Sequence, residues 1–564
     1  MTPMNGADAL VRMLQLNGVK HVFGLCGDTS LPFYDAMARL DHGIDHILTR
    51  DERSAAYMAD GYARVTGKPG VCEGPSGGGA TYLLPGLVEA NESAVPVLGI
   101  TSDVSVGARG KFPLTELDQQ ALYAPLTKWN TTIDRVDQIP HAVRTAFRAM
   151  TTGRPGATHI CLPYDVQKHA IDPAEVWAQP GHDRFPAYRF APDPQDVERA
   201  AEKLVAARAP VLVCGGGVLL SGGTTELEAL ATLLNAPVCS SVSGNGTLPG
   251  NHPLNAGVIG TNGGVAATRE VIAQADLVLF VGARAGSTTT EHWKMPSRDV
   301  TILHLDIDPM TIATNYRTDV ALVGDARLGL AALAAAVQAR IAHRPSGTAD
   351  GRAIVEKARA AKHAFFAGLA ESRERPIKPE RVVDALNKLL PPNAIVVADP
   401  GTPCPYFSAY FDAPQAGRHF ITNRAHGALG FSMSAAVGAQ FGRPGATVVS
   451  VMGDGSFGFT CGEMETIVRR GVPLKMVVFS NSVFGWIKAS QKTGYGERYF
   501  SVDFDRTNHA RVAEAFGVKA WRVEDPADVH GAIQAALAHD GPALVDVISQ
   551  ELQDTAVPVS QWMG

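Results

Sequence analysis

The chain has 564 residues, 45% hydrophobic and 19% charged, an ordinary composition for a folded protein with length for about three domains with full cores. Its formal charge of −6 offers no basic face for nucleic acid and no polybasic tail for anionic lipid, so neither is expected as a partner. Seven cysteines (Cys26, Cys72, Cys161, Cys214, Cys239, Cys404 and Cys461) are odd in number and lack a C-x-x-C pair; they indicate neither a disulfide framework nor a zinc site and read as small buried residues.

At the N-terminus, Met1 to Val11 lacks a charged segment followed by an apolar one, and no apolar run is long enough to span a bilayer. A cytoplasmic protein with no membrane partner is therefore expected. An amphipathic helix over Ala7–Leu16, stopped at Gly18, precedes a strand over His21–Gly24. The loop beyond it, Gly24 to Ser30, carries Asp28 where an acid would cap the next helix. The segment from Arg50 to Gly67 opens a helix with Glu52 in its first turn, a position where an acid complements the helix dipole. Strands over Val95–Ile100 and His159–Pro163 complete a first domain, residues 1–190.

The alternation continues through a central domain, 196–342, with strands at Val211–Cys214, Asp276–Gly282 and Ile302–Asp308. An Arg- and Ala-rich helical linker, 343–375, leads to a third domain, 376–564. Such alternation argues for an α/β protein of three doubly wound parallel-sheet domains. Glycines at Gly215–Gly217 and Gly260, Gly263 and Gly264 follow central strands; loose glycines there usually make turns, with a nucleotide cradle as the alternative.

The third domain holds the strongest signal. The run Ala446–Val451 is rich in β-branched residues, which suits a strand buried on both faces, and it ends in Gly453-Asp454-Gly455. A helix is expected after it, from about Cys461 to Arg470. The turn delivers Asp454 to the carboxyl end of a parallel strand, where free N–H groups and a positive dipole end favour an anion such as diphosphate. A second apolar run, Leu474–Phe479, leads to Asn481, so two adjacent strand ends converge. Mg²⁺ takes about six oxygens; Asp454, the Asn481 amide and a backbone carbonyl near Val483 would supply three, leaving the rest to phosphate and water. Gly453 and Gly455 would let the backbone approach such a ligand closely. An isolated Gly-Asp-Gly is most often only a strand-to-helix turn, and it is the spacing to Asn481 that sets this one apart.

These residues resemble the Gly-Asp-Gly…Asn signature of thiamine-diphosphate enzymes, in the large family containing acetohydroxyacid synthase, pyruvate oxidase, pyruvate decarboxylase and oxalyl-CoA decarboxylase. The run from Glu52 through Ala55-Ala56-Tyr57-Met58-Ala59-Asp60-Gly61-Tyr62-Ala63-Arg64 resembles the family's N-terminal motif, and the likeness covers essentially the whole chain. It implies pyrimidine-binding, central and diphosphate-binding domains, with thiamine diphosphate and Mg²⁺ as cofactors. It also implies that Glu52 shares a proton with N1′ of the aminopyrimidine, favouring the imino form that removes the C2 proton of the thiazolium. By the same resemblance Gly401, Thr402 and Ser456 touch the cofactor, Leu429 is the apolar residue that holds its two rings bent, and Asp28 is similar to a loop acid that manages protons after decarboxylation. The family places the cofactor between the first domain of one subunit and the third of another, which implies a homodimer as the minimum and a tetramer as the expected assembly.

The pocket departs from the best-known subfamilies. Leu114-Thr115-Glu116 stands where acetohydroxyacid synthases have Phe-Gln-Glu, Tyr164 where they have lysine, Ser490 where they have tryptophan, and Ile487 where pyruvate decarboxylase has a catalytic glutamate. Gly282-Ala283-Arg284-Ala285-Gly286-Ser287 lacks both the Arg-Leu-Asn-Trp of the acyl-CoA group and the Arg-Phe-Asp-Asp of the flavin-binding synthases, which argues against FAD. The positions facing the thiazolium are then Trp486, Ile487, Lys488 and Ser490 from one subunit and Asp28, Thr115 and Tyr164 from its neighbour. The expected activity is decarboxylation of a 2-oxo acid with transfer of the acyl unit to a carbonyl acceptor, as in acetolactate synthase. A 2-hydroxyacyl-CoA lyase is the alternative, and a non-catalytic cofactor-binding regulatory subunit is the alternative of another class.

Overall fold

The computed structural model describes residues 4–555 and contains three six-stranded sheets in which every pairing is parallel. The first is built from β1 (His21–Gly24), β2 (Asp45–Leu48), β3 (Gly70–Gly74), β4 (Val97–Asp103), β5 (Trp129–Thr132) and β6 (Thr158–Pro163), in the spatial order β2-β1-β3-β4-β6-β5. The central sheet comprises β7 (Pro210–Cys214), β8 (Val238–Ser240), β9 (Asn255–Val258), β10 (Leu277–Val281), β11 (Thr301–Asp306) and β12 (Val320–Val323), ordered β12-β11-β10-β7-β8-β9. The third has β13 (Ile395–Ala398), β14 (Phe420–Thr422), β15 (Val448–Gly453), β16 (Lys475–Ser480), β17 (Lys519–Val523) and β18 (Ala543–Ile548), ordered β14-β13-β15-β16-β18-β17. Each sheet reverses direction of travel midway, as expected for doubly wound folds.

Side-chain alternation shows why these runs form interior strands. In the central sheet Leu212, Leu279, Leu303 and Leu305 feed one core, while Val211, Val213, Val278, Phe280 and Ile302 feed the core on the opposite face. A sheet covered on both sides reads as continuous apolar sequence, and that is the pattern here.

Compactness groups the chain into two units. One contains the chain up to Tyr188 together with Asn423–Gly445 and Thr460–Val472; the other contains Arg189–Thr422, Ala446–Phe459 and the chain from Pro473 onward. The expected linker is a packed element of the second unit. Its helix, Gly351–Ala370, is capped by Asp350 and contributes Val355 and Ala358 to a central core and Phe366 and Ala370 to that of the third sheet.

Inside the first unit, the helix Glu52–Thr66 packs closely on the helix Phe431–Gly442, because glycines stand at the contact. A Cβ on Gly61 would lie 2.0 Å from the Ala435 carbonyl oxygen, and one on Gly438 would lie 1.9 Å from that of Met58. The small residues of the N-terminal motif thus serve helix packing, while Asp60, Arg64 and Glu89 form a buried ionic cluster beside them. A Gly61→Ala variant gains about 1 kcal/mol of helix propensity but must push two backbones apart, an overpacking strain of typically about 1–3 kcal/mol or more. A lower thermal midpoint is therefore expected; an unchanged or higher one in a melting experiment would show that the helices separate freely.

Two expectations need correction. The helix after β15 starts at Asp454 itself, running Asp454–Thr460 and continuing through a short 3₁₀ turn into Met464–Arg469. Gly455 and Gly458 are poor helix formers and hid this start, which tertiary contacts override. The cysteines are not uniformly buried either: Cys26 is exposed, in the loop after β1, and Cys461 is half-buried. Among the described residues no helix is long and apolar enough to cross a membrane.

Candidate cofactor site

Two clusters of predicted residues form, one in each unit. In the first unit, Glu52 is the opening residue of its helix and is buried. Burial raises its carboxyl above the ordinary range, with neighbouring Asp51 adding to the rise and Arg53 opposing it. Asp51 is committed elsewhere: it caps the helix by accepting the Arg53 N–H at 2.7 Å and holds the Arg53 guanidinium at 2.6 Å. No other side chain hydrogen-bonds Glu52 among the described residues, which leaves its carboxyl available.

The glycine-rich run after β3 makes space for that carboxyl. A Cβ on Gly74 would meet Glu52 Cγ at 3.3 Å, and one on Gly79 would meet Glu52 Oε1 at 3.0 Å. The start of the helix is fixed from behind by Glu463, which is buried and accepts the Arg50 N–H at 2.8 Å and the Thr466 hydroxyl at 2.8 Å. Burial pushes the Glu463 carboxyl up to about 7. Leu429 belongs to this unit too. It is half-buried in a loop whose backbone N–H groups at Ala425 and His426 donate to Glu89 Oε2, and whose Ala428 carbonyl accepts from Asn423 Nδ2 at 2.6 Å.

Asp28, Thr115 and Tyr164 sit at or beyond the carboxyl ends of the first sheet's strands. Asp28 is exposed and opens a 3₁₀ turn without capping the helix Leu31–Arg39, whose start has no side-chain cap. Thr115, in the left-handed region at φ 72°, is exposed, and its hydroxyl ends a chain that runs 2.7 Å to Ser76, 2.9 Å to Thr29 and 2.7 Å to Ser102. Tyr164 is half-buried, with the Lys168 ammonium 3.7 Å from its ring centroid.

In the second unit, strand register creates the other cluster. Gly453 pairs with Phe479, so the chain leaves β15 and β16 side by side and brings Asp454 next to Asn481. Asp454 is buried and accepts three backbone N–H groups, from Gly455 at 2.9 Å, Asn481 at 2.9 Å and Ser482 at 2.6 Å. Burial raises its carboxyl, opposed by these donors and by His509. Ser482 adopts φ 59°, a tight bend that aims its N–H at the carboxylate. Val483 is buried and bridges Asp503. Behind the strand ends, Asp546 is fully buried and accepts from Ser480, from the His509 N–H at 3.1 Å and from Arg522 at 3.0 Å.

Several observations fit a diphosphate with a cation here. The Asn481 side-chain nitrogen is buried with no protein partner, so this amide has bonding capacity directed at something else. A Cβ at Gly453 or Gly401 would meet nothing within 4 Å, so both strand ends border open space. Thr402 and Ser456 are buried nearby in sequence, at the starts of the helices that follow β13 and β15. Gly455 has another reason to be glycine, since a Cβ there would lie 2.8 Å from the Phe484 ring.

Of the residues expected to face the thiazolium, Trp486 packs partly against the third core and Ile487 is 52% exposed on the helix Gly485–Gly494. Lys488 is held by Asp503 at 2.7 Å and Glu551 at 2.8 Å, pairs that tie its helix to the following segments. Central-domain glycines are occupied by packing: Cβ atoms on Gly215 and Gly217 would fall 2.2 Å and 2.7 Å from atoms of Gly282. Sequence reading overlooked Glu463, Glu89 and Asp546. A lone acid in the otherwise apolar run Ala543–Ile548 is the signal that would have exposed the last.

Models of the thiamine pyrophosphate enzyme N-terminal TPP binding domain, central domain and C-terminal TPP binding domain match residues 4–122, 197–333 and 399–547. The chain is 34% identical over 556 residues to a probable acetolactate synthase large subunit of Methanococcus aeolicus, covering 96% of this chain and 92% of that protein. It is 32% identical to an acetolactate synthase of Mycobacterium bovis, covering 97% and 88%, and 31% identical to the acetolactate synthase isozyme 3 large subunit of Escherichia coli, covering 95% and 93%. With three domain models in order along one chain and relatives aligned over nearly all of it, the chain belongs to the thiamine pyrophosphate enzyme family and is a thiamine-diphosphate-dependent enzyme.

Proposed function

We propose that this enzyme is an acetolactate-synthase-like carboligase: it takes a 2-oxo acid donor, releases CO₂ and joins the remaining acyl unit to a carbonyl acceptor, with Mg²⁺ anchoring the cofactor's diphosphate. The observation that carries the reading is the joint retention of Glu52, Asp454 and Asn481, each positioned by dedicated contacts, in a chain aligned along nearly its full length with acetolactate synthase large subunits. A subunit relieved of catalysis would have no need of the activating acid.

When bound, thiamine diphosphate supplies the nucleophilic carbon and the electron sink for decarboxylation. The residues of the chain bind, orient and manage protons. Among the described residues no three His, Cys, Asp or Glu converge on a metal, so a cation at Asp454 and Asn481 would complete its shell with backbone carbonyl oxygen at Val483, phosphate and water. Metal and cofactor would then bind together. Gly401, Thr402, Gly453 and Ser456 would line the diphosphate, and Leu429 would hold the two rings bent. Glu52, with its raised proton affinity, would hold the proton shared with N1′.

Trp486 and Ile487 would form an apolar wall that limits the donor to a small acyl group, facing Asp28, Thr115 and Tyr164 of a second subunit. Asp28, exposed and without a capping duty, would handle the proton that the acceptor gains. This sharing requires at least a homodimer, with a tetramer as the expected assembly, and the proposed cofactor set contains no flavin. A screen of 2-oxo acids for CO₂ release, with and without aldehyde or 2-oxo acid acceptors, is expected to find a small donor and a coupled 2-hydroxy-ketone product. Turnover restricted to 2-hydroxyacyl-CoA substrates, or no turnover with loaded cofactor, would overturn the reading.

A further inference from the structure

A second buried carboxyl, unused by the chemistry above, stands beside Glu52. Glu73 lies on β3 in register with Gly24 of β1 and is 1% exposed. Glycine at position 24 is what admits it, because a Cβ there would fall 2.6 Å from Glu73 Oε2. The next residue along β3, Gly74, in turn leaves room for Glu52 Cγ. Successive positions of one strand end thus serve two acids.

Glu73 is held by the hydroxyls of Tyr34 and Ser30, both of which favour its ionised form less than burial disfavours it. Tyr34, on the helix Leu31–Arg39, places its hydroxyl 2.6 Å from Oε2, and the same hydroxyl is 3.0 Å from His46 Nε2 on β2, the two rings meeting edge to face at 5.0 Å. Oε1 is buried with no partner, and Glu73 makes no ion pair among the described residues. The titratable and charged groups around this set are Glu52 and Cys72 beside Glu73, Cys26 acting on Tyr34, and Asp45 and Arg470 acting on His46 with opposite signs. None places a cation on Glu73. An ionised carboxylate in such a place is costly, so the group keeps its proton.

Burial pushes Glu73 up to about 8 and His46 down to about 4. Near neutrality both are then uncharged. Tyr34 donates to Glu73 Oε2, so its oxygen accepts from a neutral His46 that carries its proton on Nε2. Ionisation of Glu73 strengthens the hydrogen bond that it accepts from Tyr34. It also places a negative charge next to Glu52.

We propose that Glu73 is a positioning residue for the activating acid: a neutral carboxyl in the folded protein whose ionisation, set through Tyr34 and His46, governs how readily Glu52 holds its proton. The consequence for Glu52 rests on the activating role assigned to it above; the protonation of Glu73 does not.

Three measurements test it. The first uses the full chain without cofactor. An acid whose proton is held more tightly in the folded than the unfolded state stabilises the fold below its ordinary value of 4.5, and that contribution is lost as pH rises to about 8. The melting temperature of the wild type minus that of Glu73→Gln is therefore expected to fall across this window and level off above it. A difference independent of pH would overturn the proposal. Should the glutamine variant fail to fold, difference infrared spectroscopy on the wild type is expected to show a protonated carboxyl band lost near the same pH. In Tyr34→Phe that loss moves to higher pH, because the donor to the carboxylate is gone; absence of the band at neutral pH overturns the proposal. Finally, C2–H exchange of bound thiamine diphosphate is expected to show an inflection near pH 8 in the wild type that disappears in Glu73→Gln, and identical profiles would refute the link to Glu52. Exchange that is absent from the wild type would instead fault the assignment of Glu52, with the melting difference still deciding the state of Glu73.

Discussion

Replacing Asp454 by alanine is expected to abolish binding of thiamine diphosphate with Mg²⁺ and turnover together. The carboxylate has two duties. It would be the charged ligand of a cation at these strand ends, and a hard cation with near-octahedral demands has little tolerance for losing an inner oxygen. It also accepts the N–H groups of Asn481 and Ser482, so it holds the loop that presents the second ligand. Alanine would leave these donors buried without a partner, at about 1–3 kcal/mol each, and would release the bend at Ser482. The loss of affinity should exceed the roughly 10–100-fold typical of outer-shell changes at metal sites. Calorimetry with cofactor and Mg²⁺, alongside circular dichroism to confirm the fold, measures it. Affinity equal to the wild type would remove Asp454 from the site.

Glu52→Gln is expected to separate binding from activation. The amide keeps the shape that Gly74 and Gly79 accommodate, so fold and cofactor binding should survive. It cannot share a proton as a carboxyl does, and groups acting in general acid–base catalysis typically contribute about 10²–10⁴-fold. C2–H exchange of the bound thiazolium, followed by NMR, should slow by that order. Wild-type exchange in the variant would move the activating role to another acid. Asp51 is poorly placed to take it, because its oxygens cap the helix and pair with Arg53. Glu73 would then be the next group to replace.

The strand ends of the candidate site were legible where their logic is local. A run rich in β-branched residues and closed by Gly-Asp-Gly specifies a buried parallel strand ending in an acid, and a second apolar run leading to Asn481 specifies its neighbour. The register of Gly453 with Phe479 turns those two local statements into one site. Glu52 was readable for the same reason, as an acid in the first turn of a strongly marked helix.

Other features depended on residues far apart in the chain. Arg50 and Glu463 are separated by 413 positions, and nothing in either segment announces the hydrogen bond that fixes the start of the helix. Lys488 reads as a pocket residue facing the thiazolium, and nothing nearby in the sequence announces that Asp503 and Glu551 hold its ammonium. Gly455 reads as a ligand-facing glycine, whereas the Phe484 ring occupies the space at its Cα. Gly61 belongs to the N-terminal motif and Gly438 to none, and neither segment announces the other, but each permits a backbone approach that any side chain would block. The sequence by itself determined the class of fold and the residues at strand ends, because spacing and composition within a few residues decide those, while the cofactor was named by resemblance to a known family. Only the tertiary structure decided which acids are buried without a cation, which charges are neutralised and which glycines make room, because burial and pairing are properties of neighbours brought together by folding.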